Sequence, residues 1–307
     1  MNKNINFNMR IKLIIASSIG FLLCTNAAQS QQIFKVAQFV KNNYLYNPAA
    51  AGAEEKSSVG AVYRKMWSGM PGGPQTTFLY GDHYYASRKT GVGVVMYTDK
   101  TGPTSRTGGQ IDLSYSLDFN NGKRLMFGLA GMFMQYRIDK ASFSNYIPND
   151  PLLGSDGTEM KGDAAAGVYY RSNTLNIGFS AQQLLQSKLN FIKSSTNTEG
   201  KLYRHYYLAG HYNWKTDEDN TIVPNFSLSY VNGSPVDAEA GVMIEHKKLL
   251  WAGLGYHYKQ SFTAILGINI KKQLALGYAY QQYRTPVSVF EDGGAAHEIS
   301  LRYFLSK

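Results

Sequence analysis

The chain reads as a closed antiparallel transmembrane β-barrel of about 14 strands, and three observations carry that reading. Apolar and polar side chains alternate with period two along many short segments, as strands with one apolar face require. The composition is rich in Tyr (23) and Gly (30) and poor in Pro (9), which suits strands bearing aromatic girdles. Connections are short at one rim and mostly long at the other, the arrangement of outer-membrane barrels.

An export leader comes first. Lys3, Arg10 and Lys12 form a basic start, an apolar run spans Leu13 to Leu23, and Ala28-Gln29-Ser30 precedes Gln31. This is the pattern of a secretory signal peptide over residues 1–30. Cys24, the one cysteine, lies inside it behind a bulky Leu23, which disfavours a lipid anchor. Residues 31–307 then hold no thiol, so disulfides, cysteine nucleophiles and Cys-ligated zinc are excluded. Losing the three leader cations lowers the formal net charge from +10 to +7. The leader also removes the cytoplasm, and nucleic acid is not an expected partner. No later stretch reaches the ~18 apolar residues of a membrane helix.

Residues 31–56 read as an N-terminal plug-like segment at or in the periplasmic mouth, and 57–307 as the barrel. In "NNYLYNPAAAG" (42–52) the segment is too rich in Ala and Pro for a strand. Its backbone groups cannot face lipid unpaired, so it belongs in the lumen or in the periplasm. Asn47-Pro48 is expected to turn the chain towards the first strand. Fourteen alternating segments follow, at 57–67, 75–86, 91–98, 108–118, 124–137, 162–171, 174–181, 202–214, 222–231, 236–245, 249–258, 261–270, 273–281 and 297–305. Ile111, Leu113, Tyr115 and Leu117 against Asp112, Ser114, Ser116 and Asp118 show the pattern clearly. With both termini periplasmic, 87–90, 119–123, 172–173, 215–221, 246–248 and 271–272 are short turns, and 99–107, 138–161, 182–201 and 282–296 are long loops. A soluble two-sheet protein is the alternative architecture.

Parity sorts the charges. Asp112, Glu239, Glu298 and Arg302 are expected in the lumen. The first strand's phase is ambiguous because Arg64 and Lys65 are adjacent, and Arg64 is taken as the inward residue, near Glu298 or Glu239. Antiparallel closure would set 297–305 beside 57–67. Cations gather at the short turns: Arg88, Lys89, Lys123, Arg124, Arg171, Lys215, Lys247, Lys248, Lys271 and Lys272. They read either as contacts to anionic outer-membrane lipid or as a basic rim that docks a periplasmic partner.

Chemistry-bearing patterns are weak. Gly91-Val92-Gly93 lies in a strand with no helix after it. Asp217-Glu218-Asp219 reads as a solvated turn, and Asp156-Gly157-Thr158-Glu159 lacks calcium-loop spacing. His205 and His211 share a lumen face without a third ligand. Asp82-His83 with Ser87 is the nearest approach to a hydrolytic set, but adjacent strand residues point to opposite faces. Catalytic, cofactor and metal sites are all expected to be absent.

"YLYNPAAAG" (44–52) followed by "YRKMWSGMPGGPQTT" (63–77) resembles the start of the PorP/SprF family, outer-membrane proteins of the Bacteroidetes type IX secretion system. Tyr44, Asn47, Pro48, Ala49 and Gly52 match its first motif, and Tyr63, Arg64, Trp67, Gly73, Pro74 and Thr76 its second. "GVGVVMYTDKTG" (91–102), "LNIGFSAQQLL" (175–185) and "HEISLRYFL" (297–305) resemble later landmarks. Departures are Ala50, where an aromatic is common, and an end on Phe304-Leu305-Ser306-Lys307. The resemblance implies a non-enzymatic role, with periplasmic ring and motor proteins and a secreted adhesin with a C-terminal sorting domain as partners, and gliding motility for some members. Tyr44 and Tyr46 are expected to pack against lumen side chains. A general porin and a barrel enzyme are the competing functions.

The protein should fractionate with the outer membrane and migrate faster on gels before boiling than after. Recovery as soluble periplasmic protein would exclude the barrel.

Overall fold

The computed structural model describes residues 35–139, 157–189, 200–284 and 294–305; the leader lies outside them. Among the described residues there are seventeen strand segments. They are β1 (Ser58–Lys65), β2 (Gln75–Tyr85), β3 (Thr90–Thr101), β4 (Thr104–Asp118), β5 (Arg124–Ile138), β6 (Gly157–Arg171), β7 (Leu175–Gln182), β8 (Lys188–Leu189), β9 (Gly200–Lys201), β10 (His205–Tyr212), β11 (Trp214–Lys215), β12 (Asn220–Val231), β13 (Asp237–His246), β14 (Leu250–His257), β15 (Ser261–Ile270), β16 (Leu274–Tyr283) and β17 (Ala295–Phe304). β8 and β9 pair only with each other, and β11 continues β10 along β12, leaving a ring of fourteen staves.

The ring is antiparallel throughout. β10 pairs with both β7 and β12, and β1 pairs with both β2 and β17, so no stave presents a free edge. Closure satisfies every ladder donor and acceptor inside the wall, which a hydrocarbon surround demands. The alternation is inverted relative to a soluble protein. On β4, Ile111 and Leu113 are 69% and 58% exposed, while Asp112 and Ser114 are 1% exposed. The apolar face therefore points to lipid and the polar face to the lumen.

Two connections differ from the sequence expectation. The loop expected at 99–107 is only Gly102-Pro103, because β3 and β4 continue pairing from Thr101↔Thr104 downwards. The Arg106 guanidinium donates to Asp99 at 2.9 Å across that extension, so polar residues continue the ladder beyond the apolar band. β4, β5 and β6 each run 15 residues, roughly 50 Å at the usual rise, and overreach a ~30 Å hydrocarbon core. The stave expected to start at 202 starts at His205, because Gly200–Lys201 pairs with Lys188–Leu189 in the separate ribbon. The expected loops 138–161, 182–201 and 282–296 lie partly outside the described residues.

The seam is fully laddered. Arg64 faces Glu298, Val62 faces Ser300 and Ala61 faces Leu301. Val62 is wholly buried and Tyr63 is 43% exposed, so the even residues of β1 face inward, Arg64 among them. Because residues 31–307 contain no cysteine, engineered thiols give an unambiguous test. Cysteines at 62 and 300 should form a disulfide on mild oxidation. A pair at 62 and 304, four residues out of register, should not; crosslinking of the offset pair alone would mean a different seam.

Candidate functional site

The lumen is not empty. From Lys35 to Glu55 the chain runs inside the ring, with Tyr44, Leu45, Ala49, Ala50 and Ala51 all at 5% exposure or less. It reaches well beyond the short-turn mouth. Lys35 pairs with Asp237 near the long-loop rim, whereas Glu54 and Glu55 meet Arg171 and Arg124 at the short-turn rim.

The segment folds as a string of single turns, each with a wall partner. Lys41 and Asn42 donate to the Gln38 carbonyl, closing a first turn. That leaves the Ala37 and Gln38 N–H groups free, and both donate to the Glu298 carboxylate at 2.6 and 2.9 Å. Glu298 is fully buried and also accepts from Arg64 Nη1 at 3.1 Å. Arg64 Nη2 also donates to Gln281 from β16. A further turn spans Asn43–Leu45, and another spans Pro48–Ala50. Asn47 caps the latter: its Oδ1 accepts from Ala49 N–H at 2.9 Å, as N-cap asparagines do. Its Nδ2 donates to the carbonyls of Val168 and Phe179. Asn47-Pro48 thus caps a turn in mid-lumen and does not lead into β1; the chain turns to β1 around Gly52, at φ +72°.

The remaining polar groups are met in the same way. The Tyr44 hydroxyl donates to Asp112 at 2.6 Å. The Tyr46 ring lies 5.3 Å from that of Tyr207, its hydroxyl accepts from Val36 N–H, and its carbonyl accepts from Ser180 and Gln182. Tyr80 donates to Asn42, Ser114 donates to the Ala51 carbonyl, and Gly52 N–H donates to Asp82. Asp82 also accepts from Ser58 and from Arg302, whose Nη1 reaches the Lys41 carbonyl at 3.4 Å.

Wall glycines make the seat. A Cβ at Gly128 would lie 2.3 Å from Ala49 N, one at Gly167 2.0 Å from Asn47 Oδ1, and one at Gly93 2.1 Å from the Tyr44 hydroxyl. Sequence reading placed Gly93 in a strand without seeing this purpose. It also passed over Gln38, Lys41, Asn42, Ser114, Ser180 and Gln182, since inward polar residues look alike until the segment is in place.

The other expected site residues fall as follows. Asp112, Glu298 and Arg302 contact the segment, and Glu239 lines the lumen without touching Arg64's ion pair. Tyr63 faces lipid. Trp67 (φ 51°), Gly73 and Pro74 form the β1–β2 loop, where Met66 N–H donates to the Pro74 carbonyl at 2.8 Å. Thr76 donates to Asp99 at 2.7 Å. Of the ten rim cations, Arg124 and Arg171 stand at the short-turn rim paired with Glu55 and Glu54. Arg88, Lys89, Lys123, Lys215, Lys247, Lys248, Lys271 and Lys272 are exposed. His205 accepts or donates at Gln183 and stacks beside Tyr207. No group of three metal-ligating side chains occurs among the described residues.

Two cavities of several hundred Å³ flank the segment, one on each side. The long-loop cavity is about 570 Å³, lined by Arg64, Trp67, Asp99, Arg106, Asp237 and His257 among others. The short-turn cavity is about 600 Å³.

A fourteen-stave closed barrel with a lipid-facing apolar wall and a polar, occupied lumen is an outer-membrane β-barrel protein. Similar architectures include a Pseudomonas aeruginosa FadL homologue (TM-score 0.51, 11% identity, covering 84% of this chain and 92% of that one). The Ralstonia pickettii toluene transporter TbuX (TM-score 0.49, 10% identity, 86% and 93% coverage) and the KdgM porin (0.42, 11%, 81% and 99%) are more distant in shape. At such identities the likeness is one of fold. No curated protein matches the chain. The family model for the type IX secretion system membrane protein PorP/SprF matches residues 28–303, and the chain belongs to that family. Family and fold alike are those of secretion-system and porin-like barrels, not of enzymes.

The buried pair yields a stability test. Arg64→Met leaves the Glu298 charge without its cation, which should destabilise the folded barrel by about 3–5 kcal/mol. Arg64→Met with Glu298→Gln should recover part of that loss in urea titrations of the reconstituted protein. A double variant whose loss equals the sum of the losses in Arg64→Met and Glu298→Gln would mean that the pair is not coupled.

Proposed function

We propose that the protein is a non-enzymatic barrel component of the type IX secretion system. In this reading it supports export or surface attachment of a large adhesin-type cargo and docks periplasmic ring and motor proteins at its short-turn rim, with a role in gliding motility. Residues 31–56 serve as its plug. The observation that carries the reading is the lumen itself. The family's opening motif, Tyr44 to Gly52, is used to fill the barrel and bind its wall, which serves assembly and not permeation. The exposed lysines of the short-turn rim support a docking role at the end that, by its connection lengths, faces the periplasm.

The rival is a general porin, and conductance separates the two. Wild-type protein in planar bilayers should show no stable channel. Gly128→Val, whose side chain enters the space of Ala49, should unseat the segment while the barrel still inserts and shows its heat-dependent gel shift. In cells this variant should lose adhesin display at the surface. A conducting wild-type barrel together with unimpaired display in Gly128→Val would favour the porin.

A further inference from the structure

We infer that the cavity at the short-turn rim is a receptor for an acidic, extended peptide segment of a partner protein. The inference rests on the reading above, in which this rim meets periplasmic machinery, and it names the chemistry of that meeting.

The first ground is charge. The cavity is lined by Lys41, Lys56, Arg171, Lys248, Lys272 and Arg302, against only Glu54 and Glu245. Lys41, Arg171 and Arg302 are engaged by Glu245, Glu54 and Asp82. Lys56, Lys248 and Lys272 have no carboxylate partner among the described residues. Low-dielectric walls around one sign of charge focus the field at the mouth.

The second ground is backbone conformation. In the β13–β14 and β15–β16 hairpins the two central residues are Lys247-Lys248 and Lys271-Lys272, with φ of 52°, 54°, 49° and 58°. Two-residue hairpin turns of this hand favour Asn-Gly. Lysine is unfavourable in the left-handed region, so the turns that bring Lys248 and Lys272 to the cavity carry strain.

The third ground is the shape and material of the cavity. About 600 Å³ falls within the range of ligand pockets. Half-buried Val40, Ala275 and Phe304 give it apolar patches beside the buried Trp251, suited to an apolar side chain between acidic ones. These residues face the lumen, behind the staves, where an acyl chain has no route, so an anionic lipid headgroup is the poorer occupant.

The test uses the mature protein in phosphatidylcholine nanodiscs and a fluorescein-labelled decapeptide of Glu and Asp with one central Phe, read by anisotropy. Saturable binding of one peptide per barrel that weakens with salt is expected. Lys56→Ser with Lys248→Gly and Lys272→Gly should weaken it roughly tenfold or more. The two glycines relieve the turn strain, so folding should not suffer. Lys123→Ser with Lys215→Ser and Lys271→Asn removes equal charge from the same rim outside the cavity, and should change binding less than about twofold. Equal losses in the two variants, absence of saturable binding, or displacement of the peptide by an equimolar short-chain phosphatidylglycerol would each overturn the proposal. The readout is binding to purified barrel, so a normal adhesin display in Gly128→Val would refute the proposed function and leave this result intact.

Discussion

A peptide that enters a membrane barrel without joining its sheet must find a partner for each of its backbone groups, and that constraint organises this lumen. The staves solve the problem among themselves by closing. The segment from Lys35 to Glu55 cannot, because single turns leave donors and acceptors at both ends of each turn. Side chains from the wall therefore act as caps. Glu298 takes the N–H groups of Ala37 and Gln38, Asp82 takes that of Gly52, Ser114 serves the Ala51 carbonyl, and Ser180 and Gln182 serve that of Tyr46. The polar face of the barrel is thus a template complementary to one peptide conformation.

Glu298 bears the heaviest part of this template. An ionised carboxylate with no exposure to water is tolerated only when paired and hydrogen-bonded. Here Arg64 supplies the countercharge from the adjacent stave across the seam, and the segment supplies two N–H donors. First stave, last stave and lumen segment consequently share one ion pair. The charges that close the barrel also hold its contents, so the segment's seat and the seam are not independent features.

The sequence exposed the wall better than the contents. Period-two alternation located all fourteen staves within a few residues, because lipid outside and water or peptide inside impose opposite demands on neighbouring side chains. Where the wall rises beyond lipid the signal fades, which is why the Thr101–Thr104 turn was read as a long loop. Parity left the phase of β1 open between Arg64 and Lys65, the family-like motif chose Arg64, and the structure pairs it with Glu298. The seat was not legible. Gly128, Gly167 and Gly93 look like ordinary strand glycines until Ala49, Asn47 and Tyr44 are placed against them. The pairing of the rim cations Arg124 and Arg171 with Glu55 and Glu54 was not legible either, because nothing in linear order ties them together.

The occupied lumen also decides what kind of work the two ends can do. For a solute to cross, the segment would have to leave a site where Tyr44, Leu45 and Ala49 are almost wholly buried and wall side chains satisfy its backbone. Each wall hydrogen bond contributes about 1 kcal/mol, and the buried aromatic and aliphatic side chains about 1.5–3 kcal/mol each. Spread over this many contacts, the barrier to clearing the lumen is far above thermal energy. The cavities of about 570 and 600 Å³ are then two separate vestibules and not the halves of one pore. A barrel built this way offers each side of the membrane a rigid, chemically distinct cup, mixed in charge at the long-loop rim and basic at the short-turn rim. An occupied lumen supports the proposed role in recognition at the two faces over the rival reading of transit between them.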